Sequence, residues 1–248
     1  MKNLLKFEFH KLVRQKSFYI CTVVMLALAF VSLLITKTWA ENDPENAREL
    51  SGGAMMLTAV SSSSFTLLSG IFIALFACND YDGQTIKNVC ARGFSKGKVY
   101  FAKLLATFAT VVSMFAVTLI FSYAAGNFLF GNESTSGNYV GLIVGQLVLC
   151  LAYAAFVFVV SLVIKKTGAS VALAVLGTSL VGTVLNLGDA MLKSESFKLS
   201  SYWLDAFMTD LTSLATDTSR LTLCVVLSVV YAATFIFTGY SIQKKQEI

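Results

Sequence analysis

The sequence is poor in charged residues. Only 13% of its 248 residues are Asp, Glu, Lys or Arg, against about 25% in soluble domains. Hydrophobic residues make up 56% of the chain, and its mean hydropathy is +0.73. This composition excludes an ordinary soluble domain and indicates an integral membrane protein.

Residues that bind metals or nucleotides are scarce as well. His10 is the single histidine, and the five cysteines form no CxxC pair. Neither a disulfide framework nor a zinc site is therefore expected. The stretch GFSKGKV at 93–99 has three residues between its glycines instead of four, and Val99 stands where a Ser or Thr would hold magnesium. We expect no catalytic, cofactor or metal site in this chain. The only inner-side candidates for a membrane-embedded enzyme are Asp80, Asp82 and His10.

Six stretches free of charge are long enough to cross a bilayer as helices, which takes about 20 residues each. They cover residues 17–36, 50–79, 104–132, 134–164, 167–188 and 221–243. The runs are continuously apolar instead of alternating, which excludes a transmembrane barrel. The predicted fold is an all-α integral membrane protein with six transmembrane helices, forming one domain over residues 1–248.

The basic residues are concentrated in alternate loops. With the N-terminus inside, the inner segments hold 14 basic and four acidic residues, and the outer segments hold five basic and ten acidic residues. Because Lys and Arg near span ends resist translocation, both termini are predicted to be cytoplasmic in a plasma membrane. Residues 1–40 could instead be a cleaved signal, but their charged leader and apolar stretch are both too long.

The N-terminal segment 1–16, MKNLLKFEFHKLVRQK, has the pattern of a basic amphipathic helix. Such a helix is typical of chains that lie along the inner leaflet and contact its lipids. Its predicted apolar side carries Leu5, Phe9, Leu12 and Val13, and the opposite side carries Lys6, His10, Lys11 and Arg14.

A second polar segment, residues 80–98, begins DYDGQTIKN between two apolar runs. Asp82 can cap a short helix there, Gly93 can end it, and Phe94 offers an apolar side chain beyond it. Such a segment could dock onto a soluble partner beneath the membrane, or it could be a basic loop that only obeys topology.

The predicted spans contain no charged residue, so an ion-coupled transporter is not indicated. Their mild polar residues either join helices or line a substrate pathway. Residues 189–219 between the last two spans are too long for a turn and read as a half-inserted amphipathic outer helix, which is either an outer gate or a cap. The pathway candidates are Ser61, Ser62, Ser63, Ser64, Gln146 and Asn186, and the gate candidates are Tyr202, Trp203 and Phe207.

The KFEFHKL sequence, the six runs and the DYDGQTIKN segment that leads back to Lys103 and Leu104 together resemble the permease subunits of type-2 ATP-binding-cassette (ABC) exporters. In particular, the chain resembles small Gram-positive permeases of lantibiotic or bacitracin self-protection and of phenol-soluble modulin export. The resemblance covers essentially the whole chain.

The resemblance implies a permease that pairs with a second copy or a sister chain and binds two separate ATPase subunits, which hold ATP and Mg²⁺. The cargo would be an amphipathic or hydrophobic peptide, and no nucleic acid is involved. Lipid or drug efflux, and a sensor or scaffold without transport, stay open as alternatives. The implied ATPase-coupling residues are Asp80, Asp82, Thr85, Ile86, Lys87, Asn88, Arg92 and Phe94, with Lys6, Phe9 and Lys11 of the N-terminal helix beside them.

Overall fold

The computed structural model describes residues 2–42, 51–82, 94–131, 139–192, 198–212 and 217–245. Within these ranges every regular element is helical. The elements are α1 (Lys2–Arg14), α2 (Lys16–Asn42), α3 (Gly52–Val60), α4 (Ser63–Asp82), α5 (Lys96–Phe130), α6 (Tyr139–Ile164), α7 (Thr167–Leu192), a 3-10 helix (Leu199–Tyr202), α8 (Leu204–Asp210) and α9 (Thr218–Lys245).

Five stretches are long and apolar enough to cross a membrane. They are α2, α3 with α4, α5, α6 and α9. A sixth is α7, if its halves Thr167–Gly177 and Ser179–Met191, which are bent by 40°, count as one span. The predicted all-helical membrane fold is therefore confirmed, and the number of spans depends on how α7 is counted.

Helix α6 lies at the centre of the bundle. It contacts α4, α5, α7 and α9, while α3 packs mainly along α5. Small residues such as Gly145 and Ala152 let neighbours approach α6 closely, and a Cβ added at Gly145 would lie 3.2 Å from the Leu211 side chain. In contrast, α2 and α9 keep many apolar side chains exposed, as helices that face lipid do.

The second predicted span is divided in two at Ser61 and Ser62, where α3 ends and α4 begins. Ser62 Oγ accepts a hydrogen bond from the Phe65 N–H at 3.4 Å and donates one to the Ala59 carbonyl at 2.6 Å. At membrane depth a break is tolerated only where the freed backbone groups find partners inside the protein. The serine run supplies such partners locally.

The side chain of Gln146, from the neighbouring helix α6, supplies further hydrogen bonds at this break. It is fully buried, and the two hydrogens of its Nε2 are shared among three acceptors, the Leu57 carbonyl at 3.1 Å, Ser61 Oγ at 2.8 Å and the Leu211 carbonyl at 3.0 Å. One amide group therefore joins the end of α3, the centre of the bundle and the residue after α8.

The outer segment differs from the single amphipathic helix predicted over 189–219. Helix α7 continues to Leu192, and the 3-10 helix and α8 are both short. Arg220 at the start of α9 fixes them: its Nη2 donates to the Ser201 carbonyl at 2.8 Å and pairs with Asp210 at 2.7 Å. Asp189 accepts hydrogen bonds from the Leu199 and Ser200 N–H groups at 2.7 and 2.9 Å. The short helices of this segment are therefore held in place by an ion pair and by hydrogen bonds from side chains to the backbone.

Candidate functional site

Helix α1 packs along α5 through a face that includes a carboxylate. Leu4, Glu8 and Leu12, spaced four residues apart, are buried. Of the predicted apolar side, Leu12 is buried against the protein, whereas Phe9 and Val13 are 37% and 57% exposed. Apolar periodicity alone could not show that the buried face would contain Glu8.

Charged side chains from three helices meet where α1, the end of α4 and the start of α5 come together. Asp80 forms ion pairs with Lys11 through Oδ1 and with Lys103 through Oδ2, the latter at 2.6 Å. Lys103 also donates to the Ala77 carbonyl at 3.1 Å, and Lys11 lies 5.6 Å from the centre of the Phe76 ring. Asp80 and Lys103 are each 2% exposed. We call Glu8, Lys11, Asp80 and Lys103 the charged cluster.

Glu8 is the least satisfied member of the charged cluster. It is buried, and its Oε2 has no hydrogen-bond partner among the described residues. Burial raises the pKa of Glu8 above its ordinary value of 4.5, although the positive charge of Lys103 acts in the opposite direction. With Glu8 ionised the cluster holds two carboxylates and two ammonium groups, and with Glu8 protonated it carries one excess positive charge.

Lys103, which was predicted to lie in the inner segment just before the third span, is buried in the helical bundle. Helix α5 begins at Lys96, about two turns before the predicted span, so Lys103 faces the bundle interior instead of the membrane surface. The available signal was one Lys inside the otherwise apolar run VYFAKLLATF. Breaking a buried ion pair of this kind typically costs about 3–5 kcal/mol.

Described residues on either side of segment 83–93 contact α1 or a buried group that includes one of its residues. Before the segment, Asp80 is paired with Lys11. After it, Phe94 packs against a buried group that contains Leu4 and Val99. Asp80 therefore faces inward instead of presenting its carboxylate to a partner.

The other predicted coupling residues divide into two groups. Lys6 and Phe9 are exposed on α1, where a partner could reach them. The rest are not described: the side chain of Asp82, and Thr85, Ile86, Lys87, Asn88 and Arg92, lie outside the described residues. Their coupling role stays a prediction.

The fold brings some of the predicted pathway residues together, because Gln146 donates a hydrogen bond to Ser61 Oγ. Ser61 lines a cavity of about 470 Å³ and Asn186 lines an adjoining cavity of about 390 Å³. Gln146 is fully buried, and Ser62 bonds to the backbone at the α3–α4 break. Ser64 is partly exposed, and the side chain of Ser63 lies outside the described residues.

The predicted gate residues pack onto the bundle. Trp203 makes edge contacts with the rings of Phe156 and Tyr231, and Phe207 is fully buried. The Tyr202 carbonyl accepts a hydrogen bond from the Tyr231 hydroxyl at 3.1 Å. Whether these residues move as a gate stays a prediction. In the described part of the chain, no group of three or more His, Cys, Asp or Glu side chains could hold a metal ion.

Comparison with known proteins places the chain in a family. Residues 4–182 match the family model described as ABC-2 family transporter protein, a stretch that runs from α1 through most of α7 and includes the whole charged cluster. No curated protein is significantly similar to the chain. Because the match covers more than half of the sequence, the chain belongs to the ABC-2 transporter family, whose members are membrane-embedded permeases of ABC transporters and imply an ATPase partner.

Proposed function

We propose that this permease exports amphipathic or hydrophobic peptides, and that the charged cluster connects the ATPase partner to the helical bundle. In this proposal two ATPase subunits bind ATP and Mg²⁺ beneath the membrane, and the permease pairs with a second copy or a sister chain. Segment 83–93 contacts the ATPase, and its movement reaches α1 and α5 through Asp80.

The observation that carries the proposal is that Asp80 and Phe94, which flank segment 83–93, are both held against the helical bundle. A loop held only by its peptide chain would move without displacing the bundle. Here Asp80 joins α4 to Lys11 of α1 and to Lys103 of α5, and Phe94 packs against the buried group that contains Leu4 of α1. Since Asp80, Lys103 and Leu4 are buried, a push on the segment would displace three helices together.

Peptide cargo is supported by the nature of the bundle. Apart from the charged cluster, the buried residues of the described spans are apolar or carry hydroxyl, thiol or amide groups. Sugars and ions require walls dense in hydrogen-bonding or charged groups, whereas an amphipathic peptide does not. Lipid or drug efflux would suit the same walls, so the test below includes a lipid arm.

The first experiment is co-purification of the tagged chain from native membranes in mild detergent, followed by an ATPase assay. We expect a soluble ATPase to co-purify and its activity to rise with a synthetic amphipathic peptide. Stimulation by phospholipid and not by peptide would indicate lipid efflux. A chain that purifies alone and is indifferent to nucleotides would contradict the proposal and favour a sensor or scaffold.

Two sets of variants separate docking from transmission. A combined change of Asp82 and Lys87 to Ala should abolish co-purification of the ATPase. The double variant Asp80→Asn with Lys103→Met keeps charge balance in the buried cluster, so we expect it to retain the ATPase but lose peptide stimulation. Lys244→Gln, which alters an exposed Lys at the end of α9, is the matched control and should change neither property.

A further inference from the structure

The two adjoining cavities form one groove between α7 and the outer segment. They share Ser179 of α7 and Asp205 and Thr209 of α8. The larger cavity reaches Ser61 at the α3–α4 break and Tyr153 of α6. The groove therefore extends from the outer segment to the middle of the bundle.

The groove has both polar and apolar walls, and its charge has one sign. Its walls carry hydroxyl and amide groups, and among the described residues that line it Asp205 is the charged one. The Asp205 carboxylate faces α7 at Gly182, where an added Cβ would lie 3.3 Å from Oδ2. Because glycine has no side chain, the carboxylate is open to the groove at this point.

Asp205 differs from the carboxylates near it. Asp210 is paired with Arg220, and Asp189 caps the 3-10 helix. No hydrogen bond or ion pair joins the Asp205 carboxylate to the described residues, although it is close enough to Tyr153 to interact electrostatically. The carboxylate is therefore available to a ligand.

The surroundings of Asp205 favour a positive partner. Partial burial raises the pKa of the Asp205 carboxyl, because the protein disfavours its ionised form there. A cation in the groove would relieve that cost and form a charge-assisted hydrogen bond. A simpler role for Asp205 is stabilisation of the first turn of α8 through the helix dipole, and the test must separate the two roles.

We propose that this groove binds a cationic group of the cargo, an ammonium or guanidinium, through the carboxylate of Asp205. The proposal rests on the proposed export function and narrows its cargo to peptides that carry Lys, Arg or a free amine. The hydroxyl groups of Ser179 and Thr209 accept the remaining hydrogen bonds of the cation. The apolar part of the peptide lies toward Leu67 and Met208, which also line the larger cavity.

The test measures binding to the permease–ATPase complex in nanodiscs of phosphatidylcholine, which is zwitterionic. The probes are a leucine–lysine amphipathic peptide with a fluorescent label on its N-terminal amine and the same peptide with every lysine acetylated, so that the second probe carries no free amine. We expect Asp205→Asn to lower the affinity for the lysine peptide about tenfold, which is the effect of losing one charged contact. Asp205→Glu, which keeps the carboxylate, should retain most of the wild-type affinity. The affinities of the wild type and of Asp205→Asn for the acetylated peptide should differ by no more than about twofold. This result would also show that the variant is folded.

The control variant is Asp217→Asn, which removes an exposed outer carboxylate just before α9 and changes the net charge equally. It should leave both affinities unchanged. Equal affinity of the lysine peptide for wild type and Asp205→Asn would overturn the proposal, as would an equal loss in Asp217→Asn. The ATPase activity of the complex tests the proposal of peptide export separately from cation binding by Asp205. If neither peptide stimulates the wild-type complex, the proposal of peptide export is wrong, even if Asp205 binds the cation.

Discussion

Lys103 is the single residue on which the charged cluster depends most. Replacing it with Met removes one of the two ammonium groups around Asp80 and leaves that buried carboxylate with Lys11 alone. We expect a loss of about 3–5 kcal/mol in the free energy of unfolding, because a broken buried pair leaves an uncompensated charge. This loss is measured by thermal unfolding of the purified protein in detergent, with denaturant unfolding used to convert the shift in temperature into a free energy.

The Asp80→Asn and Lys103→Met double variant checks the cause of that loss. If an unpaired charge is responsible, the double variant should be more stable than Lys103→Met alone. Additive losses would instead mean that the two side chains act independently and that their 2.6 Å contact contributes little.

Glu8 gives the cluster a pH dependence of known sign. Its pKa is raised by burial, so the folded chain binds this proton more tightly than the unfolded chain, in which the pKa is near 4.5. The contribution of Glu8 to stability is therefore complete below pH 4.5 and is lost as the pH rises through the raised folded-state pKa. Glu8→Gln should remove this part of the pH profile and unfold at a higher temperature than wild type above that window.

The difference between the two unfolding profiles isolates Glu8 from the other carboxylates. Glu41→Gln, at an exposed site near the end of α2, is the matched control and should follow the wild-type profile. Parallel profiles for wild type and Glu8→Gln would show that Glu8 does not titrate in the fold in this range.

For single residues, the sequence predicted the side of the membrane on which a charged residue lies better than the contacts that it makes. Lys11 and Asp80 were both expected on the inner side, and the structure joins them although 69 residues separate them. No local pattern contains such a pair, because it depends on how α1 lies against the rest of the bundle. The inward position of Lys103 was missed for the same reason.

At the scale of elements, Arg220 determines how firmly the outer segment is held. Its guanidinium binds Asp210 and the Ser201 carbonyl and lies 5.8 Å from the centres of the Tyr202 and Phe207 rings. Arg220→Lys keeps the charge but loses the planar fork and the stacking. We expect a cysteine introduced at Met208, which is buried, to react faster with a maleimide in this variant than in the parent.

The protein without the added cysteine measures the background labelling of the chain's own thiols. Four of these cysteines are buried, namely Cys21, Cys78, Cys150 and Cys224. Thr222→Ala, one turn or less along α9 from Arg220 and exposed, is the control and should not alter the rate. Unchanged labelling in Arg220→Lys would show that apolar packing of Trp203 and Phe207 suffices to hold the segment.

Elements were predicted well where long apolar runs define them and poorly where polar contacts do. Each predicted span overlaps a long helix or helix pair, because a charge-free run of about 20 residues is long enough to cross a bilayer as a helix. The break at Ser61 and Ser62 was not predicted, since serines are tolerated within transmembrane helices and only the position of Gln146 favours a break. The short α8 likewise depends on Arg220 and Asp189, which lie on other elements.

At the scale of the whole molecule, the bent helix α7 determines the topology. If α7 crosses the membrane there are six spans and both termini lie on one side; otherwise there are five and they lie on opposite sides. Lys165 and Lys166 precede α7, and Lys244 and Lys245 end α9. Only a crossing α7 places both basic pairs on the inner side, as the distribution of Lys and Arg favours.

Reporter fusions decide between these topologies. A fluorescent protein that matures only in the cytoplasm and a phosphatase active only after export are each fused after residue 166, after residue 212 and at the end of the chain. We expect fluorescence at the first and last sites and phosphatase activity at residue 212. Fluorescence at 166 and 212 together with phosphatase activity at the end would mean that α7 re-enters without crossing. The groove beside Asp205 would then open to the inside, and a cationic peptide would enter it from the cytoplasm instead of leaving through it.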